Sequence, residues 1–325
     1  MAEPENPSKP GGGVVRVNFR TRGRVARSEL DTGFEARLAA LRSFMDKDLF
    51  FIGGVPKSGT TWLRVMLDAH PAIACGGEGH LANQLATTLR DALNRHNRLV
   101  NTRNQTTFES FPPFPLFDAG DYHFLLISAI ALLLMRIEGA DKARWIGEKT
   151  PDNVLNFRLL ATLFPRARFL HIVRDGRDCA VSSWFHNMRV DPDETLRQHP
   201  TIHRFIANCA DAWATALQED QVFAAEHPGR GMTVRYEDLL DHPTETLRGI
   251  LAFLEVPEDA AAVSRCIALS RFERMSGGRA AGQEDRGSFL RLGCAGDWVN
   301  HFTPEMNEAF LRVCGEEMAR MGYEV

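Results

Sequence analysis

Apolar residues recur at two different periods along this chain, and the places where the period changes outline its elements. Phe34 to Met45 reads as a helix and Leu49 to Ile52 as a short, wholly apolar strand. A second helix is predicted from Thr60 to about His70, because Trp62, Val65, Met66 and Ala69 share one face and Pro71 ends the run. Residues 84 to 120, rich in Asn, Arg and Thr and containing Phe111-Pro112-Pro113-Phe114-Pro115, show no clear period. Phe124 to Met135 is apolar apart from Ser128, but its twelve residues fall short of the ~20 that span a bilayer, so a buried helix is expected. Helices follow at about Asp152 to Phe164, Cys179 to Met188, 200 to 225, 243 to 254 and 259 to 269, with strands at Arg168 to Val173 and Met232 to Tyr236 between them. Thr303 caps a last helix whose first turn holds Pro304. Strands alternating with helices predict an α/β fold in which a parallel sheet is covered by helices on both faces.

Composition narrows the classes. A chain of 325 residues, 44% of them hydrophobic, can bury one full core, and a single domain is expected. A net charge of -4 excludes a generally basic nucleic-acid binder, so any attraction for polyanions is local. Cys75, Cys179, Cys209, Cys266, Cys294 and Cys314 are widely spaced and form no Cys-x-x-Cys pair, so they read as reduced thiols. No His-Glu-x-x-His, EF-hand or Gly-x-Ser-x-Gly pattern is present, which leaves metal hydrolysis and serine-nucleophile chemistry without a foothold. The first thirty residues are polar, Pro/Gly-rich and then basic, with Arg16, Arg20, Arg22, Arg24 and Arg27, and read as a disordered, solvated leader. No secretory signal is visible, and a cytoplasmic location is expected.

Two strand ends carry the chemistry. Between the strand at Phe50 and the helix at Thr60 lies Gly53-Gly54-Val55-Pro56-Lys57-Ser58-Gly59, a loop whose backbone N–H groups and following helix N-terminus make an anion site, with Thr60 and Thr61 adding hydroxyl donors. A nucleoside triphosphatase places its lysine directly after the second glycine; here Thr60 stands there and Lys57 precedes Gly59 by two residues. After the strand ending at Val173 comes Arg174, a permanently charged planar fork suited to bidentate phosphate binding, with Ser182 eight residues later on a helix. Taken singly, Arg174 also suits a surface salt bridge to Asp175 or Asp178, and Ser182 a bond to its own helix backbone.

Pro56 to Trp62 matches, residue for residue, the 5′-phosphosulfate loop Pro-Lys-Ser-Gly-Thr-Thr-Trp of the sulfotransferases that use 3′-phosphoadenosine-5′-phosphosulfate (PAPS), and the chain resembles that family. The resemblance covers roughly residues 48 to 80, 145 to 190, 232 to 240 and 286 to 305. It implies a fold with a P-loop-like parallel sheet, PAPS as donor, and a 3′-phosphate site made by Arg174, Ser182, Arg291 and Gly293. Lys57, Ser58, Gly59, Thr60, Thr61 and Trp62 then belong to the cofactor loop, with Tyr236 and Phe272 as adenine neighbours. Phe289 to Thr303 is similar to the C-terminal signature of the cytosolic branch, except that Leu292 and Val299 replace lysines and remove positive charge. That branch's catalytic-histidine motif, Lys-Thr-His-Leu-Pro, and its Lys-x-x-x-Thr-Val dimer motif are absent.

The middle of the chain instead resembles the tyrosylprotein sulfotransferases: Leu67 to Glu78 implies Glu78 as the catalytic base, and Gly147 to Asp152 implies Lys149 as a catalytic lysine. His80 is the rival base, since an imidazole titrates near neutrality, and Lys149 could instead pair with Glu148. Lys57 is suited to stabilising charge on the leaving phosphate, with Ser58 restraining it. Residues 31 to 325 are expected to form the sulfotransferase domain, with 84 to 140 as an acceptor-side insertion. The expected activity is sulfuryl transfer from PAPS to a hydroxyl or amine, with a small alcohol or phenol as acceptor ahead of a peptide tyrosine or a glycan. A peptide is disfavoured only by the missing secretory signal, since many peptide-modifying members work in a secretory compartment. A nucleotide kinase and an inactive nucleotide-binding scaffold are the competing classes; neither a nucleic-acid partner nor a metal is expected.

Overall fold

The computed structural model describes residues 27–325, so the expected leader lies outside the described residues except for its last four positions, which open a helix. Residues up to Ser43 form one unit, which holds helix α1 (Arg27–Phe44) up to its last residue; Phe44–Val325 form the other, which carries everything that follows. In chain order its elements are β1 (Asp48–Gly53), α2 (Thr60–Asp68), β2 (Ile73–Gly76), a π-helical turn (Leu81–Leu85), α3 (Ala86–Thr106), α4 (Ala119–Leu134) and β3 (Trp145–Lys149). A 3₁₀ turn (Pro151–Asn156) leads into α5 (Phe157–Leu163), then β4 (Arg168–Val173), α6 (Gly176–Val190), α7 (Pro192–Gln198), α8 (Ile202–Glu226) and β5 (Gly231–Arg235). The chain closes with α9 (Tyr236–Asp241), α10 (Pro243–Phe253), α11 (Ala260–Leu269), α12 (Phe272–Met275), a 3₁₀ turn (Asp297–Asn300) and α13 (Pro304–Arg320).

The five strands form one sheet in the order β2-β3-β1-β4-β5, and every neighbouring pair is parallel, as the alternation of strands and helices predicts. β1 is central, pairing Phe50 with Gly147 on one side and Arg168 on the other. A strand covered on both faces must be apolar throughout, which explains the unbroken run Phe50-Phe51-Ile52, all fully buried. Phe50 and Ile52, with Leu170 and Ile172 of β4, join a core supplied by α2, α10 and α11. Phe51 points the opposite way onto Phe169 at 5.8 Å between ring centroids, and Phe169 meets Phe223 of α8 at 4.7 Å. Beyond these rings, α6, α8 and α13 pack together through Ala180, Trp213 and Phe310.

Three expectations change. The aperiodic stretch holds α3, a 21-residue helix that buries only Ala86 and so carries no apolar stripe to read. The helix expected from Asp152 is a 3₁₀ turn as far as Asn156 and becomes α-helical only at Phe157. β2 and β3, which the hydrophobic pattern did not separate from loop, are short, and β3 ends in two buried charged residues, Glu148 and Lys149. The helix expected over Phe124 to Met135 is α4, buried along Leu126, Ile130 and Leu134 with Phe124 left exposed. Among the described residues, no helix is long and apolar enough to cross a membrane.

Candidate functional site

The loop between β1 and α2 lies at the carboxyl end of the central strand, where open α/β sheets bind ligands. Gly59 has φ 101°, and a Cβ there would lie 2.7 Å from the Tyr236 ring, so no other residue fits. Lys57 also takes a positive φ, 71°, a conformation that costs a non-glycine residue about 1 kcal/mol or more. No side chain caps the start of α2, so its first N–H groups stay available at the Thr60 end. Lys57 Nζ lies 3.8 Å from the centroid of the Phe289 ring and 3.4 Å from the Phe289 carbonyl oxygen. Ser58 does not restrain it as expected: the Ser58 hydroxyl is fully buried and has no hydrogen-bond partner among the described residues.

The β4 end supplies the second wall. Arg174 is buried, lies 4.6 Å from the Tyr236 ring centroid, and donates to the Cys294 carbonyl at 2.8 Å and to Asp178 at 3.1 Å. An Arg174–Asp178 pair therefore forms, but inside the protein rather than on its surface. Asp178 also accepts from the N–H groups of Gly296 at 2.7 Å and Trp298 at 2.9 Å. One buried carboxylate thus ties the C-terminal segment to the start of α6. That segment brings in Arg291, which is buried between Glu284, at 2.6 Å, and Asp297. Gly293 has φ 75°, and a Cβ there would strike the Phe272 ring at 2.3 Å.

On the β2 and β3 side, Lys149 Nζ meets Glu78 Oε1 at 2.5 Å and donates to the Thr61 hydroxyl at 3.2 Å. His80 Nε2 lies 3.7 Å from the other Glu78 oxygen. Lys149 is almost fully buried and pairs with Glu78, not Glu148, whereas Glu78 and His80 are both partly exposed at the cavity. The Glu148 carboxylate is used differently, accepting from Gly79 N–H at 2.8 Å, Thr150 Oγ1 at 2.5 Å and Asn153 Nδ2 at 2.8 Å. It is the peg on which the 78–80 loop hangs, and burial pushes its carboxyl pKa up despite those donors.

These walls enclose one cavity of about 670 Å³. Lys57, Gly59, Thr60, Thr61, Trp62, Glu78, His80, Arg174, Ser182, Tyr236, Phe272, Arg291 and Gly293 all line it; Ser58 and Lys149 stand just behind its surface. One end is apolar: Trp62 meets Tyr236 edge to face at 5.2 Å and donates its indole N–H to the Ser270 carbonyl at 2.9 Å, with Leu239, Ile267 and Met275 nearby. The wall that carries Lys57 and Arg174 is strongly basic. Burial first, and then the charges of Arg189 and Arg174, bring the Lys57 ammonium down from 10.5 to about 8. Burial, followed by the charges of Lys57 and Arg189, holds His186, also in the cavity wall, below the usual imidazole value. Ser58 Oγ, Arg174 Nε and Arg291 Nε are buried without partners among the described residues. Orphaned donors of this kind are what a polyanionic nucleotide would satisfy.

Four contributors escaped the sequence reading: Asp178, Glu148, His186 and Phe289. Asp178 and Glu148 were visible only as neighbours of Arg174 and Lys149, and His186, one turn beyond Ser182, carried no motif.

A family model described as "Sulfotransferase family" matches residues 50–260. The chain is 29% identical to protein-tyrosine sulfotransferase 1 of Danio rerio over 70% of this chain and 61% of that protein. It is 32% identical to protein-tyrosine sulfotransferase A of Caenorhabditis elegans, over 70% of this chain and 56% of the relative. The human protein-tyrosine sulfotransferase 1 is 28% identical over 92% and 76% of the two chains. The match to the first two therefore spans less than two thirds of their length. Among solved structures, a sulfotransferase of Mycobacterium avium superposes with a TM-score of 0.54 at 14% identity, covering 91% of this chain and 82% of that one. A mouse sulfotransferase complexed with PAP gives 0.51 at 21% identity, covering 87% and 88%. Both likenesses concern the fold. The relatives overturn the expected cytoplasmic location: they are protein-tyrosine sulfotransferases, the peptide-modifying branch associated above with a secretory compartment.

Proposed function

The chain belongs to the sulfotransferase family, and from that premise we propose that it transfers a sulfuryl group from PAPS to the phenol oxygen of a tyrosine in a peptide. The observation that carries this reading is the cavity with orphaned phosphate donors, Arg174 and Arg291 among them, and the Glu78–Lys149 pair on the same wall as Thr61. The protein-tyrosine activity named for the relatives supports the choice of acceptor. A small phenol is the second reading, favoured by the cytosolic-type segment Gly296 to Thr303.

PAPS, when bound, supplies the sulfuryl group and leaves as adenosine 3′,5′-bisphosphate. Arg174, Ser182 and Arg291 hold the 3′-phosphate in this reading, while Thr60, Thr61 and the open N-terminus of α2 hold the 5′ side. Trp62, Tyr236 and Phe272 give the adenine an apolar seat, and Gly59 and Gly293 let backbone and ring approach closely. Glu78 takes the phenol proton as the new oxygen–sulfur bond forms and the sulfur–oxygen bond to the phosphate breaks. Lys57 balances the negative charge left on that phosphate oxygen. Lys149, bonded to both Glu78 and Thr61, keeps the base and the phosphate loop in one geometry. The acceptor enters past Glu78 and His80, where the segment 84 to 140 begins.

The reading is tested by nucleotide binding. Adenosine 3′,5′-bisphosphate should raise the melting temperature, while adenosine 5′-phosphate and ATP with magnesium should not. A charge-assisted bond contributes about 1.5–3 kcal/mol, so Arg174→Ala should weaken bisphosphate binding at least about tenfold. Equal binding of nucleotides with and without the 3′-phosphate would contradict the assignment.

A further inference from the structure

Arg174 hangs from a peptide bond that is gripped from both sides. Its carbonyl oxygen accepts from the Trp213 indole N–H at 2.9 Å, and the N–H at the other end of the same peptide, that of Asp175, donates to Glu237 Oε1 at 3.0 Å. A trans peptide points these two groups in opposite directions, so Trp213 of α8 and Glu237 of α9 hold one plane between them. The next side chain is fixed as well. The Asp175 carboxylate accepts from the Arg177 N–H at 2.9 Å and from the Arg177 guanidinium at 3.0 and 2.8 Å, which pins the start of α6 to the same spot.

Glu237 is oriented in its turn. Its other oxygen, Oε2, accepts from the Tyr323 hydroxyl at 2.9 Å. Gly322, at φ 76°, ends α13 in a left-handed turn that bonds the Tyr323 N–H to the Met318 carbonyl at 2.9 Å and lays the buried Tyr323 ring against Trp213. Burial and the Glu237 charge push the Tyr323 pKa up, so the phenol stays a donor. A carboxylate fixed by two bonds beside a phosphate site calls for a reason, because its charge opposes a bound anion. The geometry supplies one. The Arg174 guanidinium donates to Asp178 and to the Cys294 carbonyl and leaves Nε buried without a partner among the described residues. Where that side chain aims depends on the backbone from which it starts, and Glu237 and Trp213 fix that backbone.

We propose that Glu237, held by Tyr323, is a positioning residue that aims Arg174 at the 3′-phosphate of the nucleotide, with Trp213 as the opposing jaw; this rests on the reading of Arg174 as a phosphate ligand. The test is a double-mutant cycle on the full chain, read as the dissociation constant of adenosine 3′,5′-bisphosphate. Glu237→Ala should weaken binding about three- to tenfold, whereas removal of a negative charge would by electrostatics alone tighten it. Glu237→Gln, whose amide can accept from the Asp175 N–H and donate to the Tyr323 oxygen, should bind at least as tightly as the wild type. In an Arg174→Ala background, Glu237→Ala should cost nothing further, within about twofold. Should Glu237→Ala not fold, Tyr323→Phe serves the same cycle, with an expected loss of about two- to threefold that again vanishes beside Arg174→Ala. Unchanged or tighter binding in Glu237→Ala, or a loss that persists without Arg174, overturns the proposal and leaves the 3′-phosphate site standing. A wild-type protein that binds adenosine 5′-phosphate as tightly as the bisphosphate removes the 3′-phosphate site itself, and the role of Glu237 with it.

Discussion

Lys57 gives the account a quantity to test. Its ammonium is held at about 8 in place of 10.5 by burial and by Arg189 and Arg174, a penalty on the charged form of about 3.4 kcal/mol at 1.36 kcal/mol per pH decade. The sign follows directly: below about 8 the lysine is charged, and above it the charge is lost. If that charge stabilises the leaving phosphate, kcat/KM should be flat near neutrality and fall above pH about 8, and Lys57→Arg should remove this alkaline limb. At about 4 Å and an effective dielectric of about 20 a unit charge contributes about 4 kcal/mol, so Lys57→Met should lower kcat by two to three orders of magnitude, with a smaller loss of nucleotide affinity. An arriving phosphate should also return the proton to the amine. At about pH 8.5, binding of adenosine 3′,5′-bisphosphate should then take up as much as about 0.75 proton, absent in Lys57→Met. Calorimetry in two buffers of different ionisation enthalpy reads that number. Binding without proton uptake, together with a wild-type alkaline limb in Lys57→Met, would refute the reasoning.

Two further outcomes are expected. Glu78→Gln should nearly abolish turnover while leaving nucleotide affinity intact, and His80→Asn should keep most activity; the reverse ranking in steady-state rates would move the base to His80. Asp178→Ala leaves Arg174 without its buried counter-charge and the Gly296 and Trp298 N–H groups without an acceptor, so it should cost about 3–5 kcal/mol in urea unfolding; a loss under about 0.5 kcal/mol would show that the C-terminal segment is held by other contacts.

The β1–α2 loop was legible because everything that marks it is contiguous: an apolar strand, Lys57, Gly59 and two threonines at a helix start. Arg174 with Ser182 could be read for the same reason, as one strand end and one helix. The rest of the site is assembled from distant segments. Asp178 reaches Gly296 and Trp298 across 118 and 120 residues, and Glu148 holds Gly79 across 69. No local pattern carries such pairings. β3 went unread because Glu148 and Lys149 look like surface residues until Gly79, Thr150, Asn153 and Glu78 surround them. α3 went unread for the opposite reason: with only Ala86 buried, it has no apolar face to announce it. Compartment was read from finding no secretory signal pattern, and an absence of pattern carried less than the likeness to protein-tyrosine sulfotransferases.

The central claim is sulfuryl transfer to tyrosine, and product identification tests it directly. The protein should be incubated with PAPS labelled in the sulfuryl group and with a tyrosine-containing peptide, beside the same peptide carrying phenylalanine and beside a free small phenol. The account predicts label on the tyrosine oxygen of the peptide, none on the phenylalanine peptide, and loss of the product in Lys57→Met. Label on the small phenol alone would contradict the proposed acceptor, and release of label only to water, with no acceptor modified, would contradict the transferase itself.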